Sequence, residues 1–164
     1  MDDLVHIQLV TDAGTEVPDE EESKGWVTTV FMVLERKQQA LTVRIVGEPE
    51  MTALNLRYRN NDRSTNVLSF PFEPPPGMLS EVLGDIAICA AVVEREAILQ
   101  EKPLLAHWAH IIVHGILHLC GYDHQQDHVA VVMETLEVSI LETLGFPDPY
   151  QMEPRSYLNE YAQN

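Results

Sequence analysis

The sequence predicts a single α/β (α+β) domain in which a small mixed sheet is covered by helices. Three observations carry this reading. The chain has 164 residues, enough to bury a real core within one domain. Segments with alternating apolar residues are interleaved with segments whose apolar residues recur at helical spacing. Apolar residues make up 45% of the chain and charged residues 22%, the ordinary balance of a globular protein.

Taken in order, "LVHIQLV" (4–10) reads as a strand with Val5, Ile7 and Leu9 on one face. Pro18 and a run of acidic residues suited to a helix N-terminus follow. Trp26, Val27, Val30, Phe31, Val33 and Leu34 then recur at helical spacing. "ALTVRIVG" (40–47) alternates again and predicts a second strand. Pro49, well placed in a first turn, opens a short helix to about Arg59. "TNVLSFPF" (65–72) is a third strand, ended by a proline-rich loop through Gly77. "GDIAICA" (84–90) is a fourth, and helices are expected over about 90–101, 103–119 and 127–144. The pattern leaves open which strands run parallel. Residues 1–150 are read as the domain and 151–164 as a loosely ordered tail; the looseness is expected from Gly145 onward, given Pro147, Pro149 and Pro154.

Composition narrows the function. The net charge of −16 argues against a broad nucleic-acid-binding face. Arg57, Arg59 and Arg63 are the exception, three of the ten basic residues within seven positions. An anionic substrate would have to be met there. No stretch reaches the roughly 18 apolar residues of a membrane span, and "MDDLVHIQLV" shows no basic segment, long apolar run or small-residue cleavage site, so secretion is not expected. With two cysteines, Cys89 and Cys120, and no C-x-x-C pair, a disulfide framework is implausible and a reducing cytoplasm fits.

The chemistry concentrates in "HGILHLCGYDH" (114–124), which holds three of the chain's seven histidines. On a helix, His114 and His118 lie on one face with Cβ atoms about 5–6 Å apart. Both can reach one ion at about 2.0–2.1 Å. If the helix continued, His124 would point about 120° away from His118, at roughly 100° per residue. The chain must therefore leave the helix between them, and Gly121 provides the left-handed residue that ends a helix. Three imidazoles fill three corners of a tetrahedron, leaving the open position that a catalytic site keeps. Cys120 is the rival fourth ligand, but two residues after His118 it should face the core. His107 and His110 read as structural or surface residues.

The pattern invites comparison with the metzincin metallopeptidases, H-E-x-x-H-x-x-G-x-x-H. It matches at His114, His118, Gly121 and His124 and departs at Gly115, where those enzymes carry the glutamate that activates water.

"HGILHLCGYDH" resembles the signature of the YbeY family, bacterial ribosomal RNA maturation factors described as metal-dependent, single-strand-specific endoribonucleases. "LNLRYRNNDRSTNVLSFPF" (54–72), "LGDIAIC" (83–89) and "HWAHIIVHG" (107–115) resemble segments of the same family in order. The resemblance spans about 40–150 and implies a compact α/β fold with one zinc held by His114, His118 and His124 at the end of a central helix. It further implies a role in small-subunit ribosomal RNA processing and ribosome quality control, with RNA and ribosomal proteins as partners, and a part for Arg59 in the ribonuclease activity. Metal plus a guanidinium fork suits charge growing on phosphate oxygens. Three imidazoles also accept nickel, copper or iron. Arg57 and Arg63 read as surface residues that could guide RNA, and Asp85 as either a turn cap or an orienting partner of a ligand imidazole. The alternatives are a metallohydrolase of another class, a peptidase being nearest, and a non-enzymatic ribosome-assembly factor with a structural metal.

Overall fold

The computed structural model describes residues 4–9, 16–122 and 127–150. Along the chain run β1 (Val5–Leu9), α1 (Glu20–Val33), β2 (Ala40–Val46), α2 (Glu48–Arg59), β3 (Val67–Pro71), β4 (Val82–Cys89), α3 (Ala90–Leu99), α4 (Leu104–Leu119) and α5 (Asp127–Thr143). The strands form one mixed sheet in the order β1-β2-β4-β3. β1 pairs with β2 and β2 with β4 in parallel, whereas β3 pairs with β4 antiparallel at the edge. Among the described residues, no helix is long and apolar enough to cross a membrane.

Local chemistry sets the boundaries. Asp19 caps α1 through a reciprocal box: its Oδ1 accepts from Glu22 N at 2.7 Å, and Glu22 Oε1 accepts from Asp19 N at 3.1 Å. Glu20, Glu21 and Glu22 add negative charge where the helix dipole favours it. Proline sits in the first turn of α2, and Asn60 ends that helix in the left-handed conformation.

The two faces of the sheet bury different things. Ile86 and Ile88 of β4 join Leu41, Val43 and Ile45 of β2 in the larger core, beneath α1, α4 and α5. Ala87 and Cys89 join Val46, Leu68 and Met51 in a smaller core beneath α2. Strict alternation thus assigns α4 and α2 to opposite faces. β4 is covered on both, which explains its nearly continuous apolar run.

α4 is buried along most of its circumference; Trp108, Ile112, Ile116 and Leu117 are at most 1% exposed. Each such side chain contributes about 1.5–3 kcal/mol on burial. His110, His114 and His118 form its half-buried stripe. The helix then ends as its glycine predicts: Gly121 N donates to His118 O at 3.0 Å and Tyr122 N to Leu117 O at 3.0 Å. This is the paired closure of a left-handed C-terminal cap, with Gly121 at φ 99°. A side chain at 121 meets no steric neighbour, so only backbone strain opposes it. Gly121→Ala is therefore expected to lower stability by about 1–2 kcal/mol, read by thermal melting. It should also weaken metal retention against a chelator if the turn aims the chain toward His124.

The expectation that the chain is loosely held from Gly145 fails over 145–150. Phe146 packs edge-on against Trp26 with ring centroids 5.9 Å apart, and Tyr150 donates from its hydroxyl to Glu137 at 2.8 Å. Aromatic anchors between the prolines outweigh the prolines themselves. The proposed tail, 151–164, lies outside the described residues.

Candidate metal centre

The histidine stripe of α4 meets α5 at a buried carboxylate. Glu137 is 1% exposed. Its Oε2 lies 2.8 Å from His110 Nε2 and 3.2 Å from His114 Nδ1, and its Oε1 accepts from the Tyr150 hydroxyl. Burial pushes the Glu137 carboxyl up, but the hydrogen bonds and charges of His110 and His114 outweigh it and hold the group at about 2. Burial lowers His110, a shift partly opposed by Glu137. Burial together with the Glu137 charge raises the Tyr150 phenol, keeping it a donor.

His114 uses its second nitrogen in the other direction. Its Nε2 stands 3.1 Å from His118 Nε2, with ring centroids 4.6 Å apart. Two imidazole nitrogens at this distance need a proton or a cation between them. Nitrogens bound tetrahedrally at about 2.0–2.1 Å lie about 3.4 Å from each other, so the pair fits a shared ion. With a proton on Nδ1, His114 donates to Glu137 and leaves Nε2 as acceptor, the arrangement in which a carboxylate orients a metal-binding imidazole.

A second donor set overlaps the first. His110, His114 and Glu137 each offer one ligand atom, all within 4.8 Å of one another. A metal site is thus possible here, and His114 belongs to both sets. His124 lies outside the described residues. Cys120 half-buries against the main core, as expected of a core residue, and burial pushes its thiol up. Both cysteines are free.

The other residues singled out in the sequence fall elsewhere. Arg59 ends α2, exposed, on the far face of the sheet from α4. Asp85 shares that far face, because its neighbour Ile86 is the one that touches α4 at Gly115. An orienting role for Asp85 toward the α4 histidines has no support in this geometry. His107 is a buried structural residue, its Nε2 2.9 Å from Glu96. Glu137 was not singled out at all. Its signal was an acidic residue on the buried face of α5 between Met133 and Ile140, a position where carboxylates are almost never found unpaired.

Comparison with known proteins agrees with this architecture. The family described as Endoribonuclease YbeY matches residues 9–145. The solution structure of TM1509 from Thermotoga maritima has the same fold, with a TM-score of 0.56 at 23% identity, covering 90% of this chain and 99% of that one. With the family match spanning both the sheet and the histidine helix, the chain belongs to the endoribonuclease YbeY family.

Proposed function

We propose that this protein is a zinc-dependent, single-strand-specific endoribonuclease acting in the cytoplasm on small-subunit ribosomal RNA precursors and in ribosome quality control. The observation that carries the metal part of this reading is the His114–His118 nitrogen pair, with His114 held from behind by Glu137. His114, His118 and His124 would hold the ion, and His110 would share Glu137 as an outer partner. Bound there, zinc supplies Lewis-acid polarisation of a phosphate oxygen.

The chain's own residues supply the rest. Glu137 fixes the His114 tautomer and ring plane. Tyr150 and His110 occupy the remaining lone pairs of that carboxylate and keep it from turning. Arg59 is assigned to the phosphate, where a planar guanidinium can bridge two oxygens. Its exposure leaves it available to a large substrate. RNA is the partner, with ribosomal proteins of the small subunit beside it.

Incubating zinc-loaded protein with single-stranded RNA, duplex RNA and casein, each with and without chelator, tests this. The expected result is cleavage of the single strand alone, abolished by chelator and restored by zinc. Casein cleavage, or RNA cleavage indifferent to chelator, would sink the reading. Arg59→Ala is expected to slow RNA cleavage about 100-fold, the scale of losing one preorganised charge donor. Metal content and melting temperature should hardly change, because an exposed arginine contributes little to folding. Arg59→Lys should rescue poorly, since a point charge cannot replace the fork. Unchanged cleavage in Arg59→Ala removes it from the chemistry.

A further inference from the structure

The end of α2 carries more than charge. Arg57 and Arg59 in its last turn complement the helix dipole, which accounts for cations there but not for the ring between them. Tyr58 is 55% exposed. Its ring meets Phe70 of β3 edge to face at 5.0 Å, and the Arg57 guanidinium lies over it, 5.3 Å from the centroid. Phe72, just past β3, is a second exposed aromatic at 49%.

Lys24, Arg44 and Arg95 are paired with Glu20, Glu50 and Glu48. Among the described residues, Arg57, Arg59 and Arg63 form no ion pair. In a chain of net charge −16, three arginines within seven positions of an exposed aromatic, with no ion pair among the described residues, are a local reversal of the protein's field.

β3 links this patch to α4 across the edge of the sheet. It is the edge strand, and its residues alternate between faces. Ser69 points to α4, donating to Gly115 O at 3.1 Å, while Phe70 points to the α2 side and Tyr58. One strand therefore separates the ring from the residue next to His114.

We infer that Tyr58, backed by Phe70 and flanked by Arg57 and Arg59, is a stacking platform for an unpaired base of single-stranded RNA as it crosses the β3 edge. This rests on the ribonuclease reading and deepens it by naming what selects single strands. Base–aromatic stacking needs a free base face, which a duplex does not offer, and it tolerates any sequence. Arg57 takes a flanking phosphate, leaving Arg59 for the one that is cleaved. Asp85, opposite Phe70 in the sheet register, adds an exposed acceptor to this face. It disfavours a phosphate beside it but accepts from a base amino group.

The test is binding to the zinc-loaded full chain, read by anisotropy with a short fluorescein-labelled 2′-O-methyl oligoadenylate and with a blunt duplex of the same chemistry. Tyr58→Leu keeps an apolar cover over Phe70 and is expected to weaken single-strand binding about ten-fold, with duplex binding, metal content and melting temperature unchanged. Tyr58→Trp should bind at least as well as wild type. Arg57→Ala should reduce the salt dependence of binding, and Tyr58→Leu should not. Equal single-strand binding by Tyr58→Leu and wild type overturns the platform and leaves the exposed rings to a protein partner. An equal loss of single-strand and duplex binding overturns it in favour of charge alone. Wild-type protein that binds the oligomer but cleaves no RNA overturns the nuclease reading while the platform stands. Wild-type protein that cleaves RNA beside an unaffected Tyr58→Leu does the reverse.

Discussion

His118→Ala is expected to strip the protein of its metal and reduce RNA cleavage to background, whereas His110→Ala keeps the metal. The two outcomes separate the two donor sets that share His114. On the Nδ1 side, Glu137 Oε2 already sits between His110 Nε2 at 2.8 Å and His114 Nδ1 at 3.2 Å, and Tyr150 holds Oε1. The shorter contact has the length of a charge-assisted hydrogen bond and the longer that of an ordinary one, and an ion placed there would have to displace the protons that make them. On the Nε2 side the two imidazoles of His114 and His118 face each other at 3.1 Å, a contact that an ion satisfies better than a shared proton. The proposed ion is therefore expected beside His118. Glu137→Gln tests the same point at lower amplitude. It keeps the shape and loses the charge that favours Nδ1 protonation, and metal affinity should fall about 10–100-fold, as on losing an outer partner of a ligand. Elemental analysis after dialysis against chelators of graded strength reads all three variants. Loss of metal from His110→Ala as complete as from His118→Ala would move the ion to the other side of the ring.

The frame of the candidate site was legible because it is local. His114, His118 and the helix end at Gly121 are fixed by spacing within one helical turn and one cap, and the structure places them accordingly. The starts of α1 and α2 were equally local, set by the acidic run after Pro18 and by Pro49, whereas the third strand, read as 65–72, runs only from Val67 to Pro71. What spacing cannot carry is pairing between distant segments. The antiparallel β3 at the sheet edge depends on which strand its backbone meets, and its own residues alternate in either arrangement. Glu137 reaches His114 from 23 positions away. Tyr150 joins them only after the chain turns back past Phe146, and a run of prolines gives no hint of that docking. Arg59 shows the same limit: its charge was visible, its position across the sheet from α4 was not.

Gly115→Glu restores the residue that the metallopeptidase pattern would place after His114, and it is expected to abolish folding rather than to create a peptidase. Residue 115 does not face the histidine side of α4. A Cβ there would lie 3.1 Å from Ile86 Cδ1, 3.1 Å from Ile86 Cγ2 and 3.3 Å from Val67 Cγ2. Glycine lets α4 settle onto β3 and β4 closely enough for Ser69 Oγ to reach Gly115 O at 3.1 Å. Alanine at 115 needs only a shift of a few tenths of an ångström. The roughly 0.5–1 kcal/mol gained by replacing a helical glycine offsets part of that cost, so Gly115→Ala should melt close to wild type. Glutamate must also push its remaining side chain between α4 and a strand whose Ile86 is fully buried. Overpacking of this kind costs about 1–3 kcal/mol, and a buried carboxylate without a partner adds several more. Together these approach the about 5–15 kcal/mol by which a domain is stable at all. Insoluble or molten Gly115→Glu protein, with no casein cleavage, is the expected result by circular dichroism and activity assay. A soluble variant with the wild-type melting temperature would show that the helix can turn this position away from the sheet, and would strengthen the peptidase comparison that the buried Gly115 argues against.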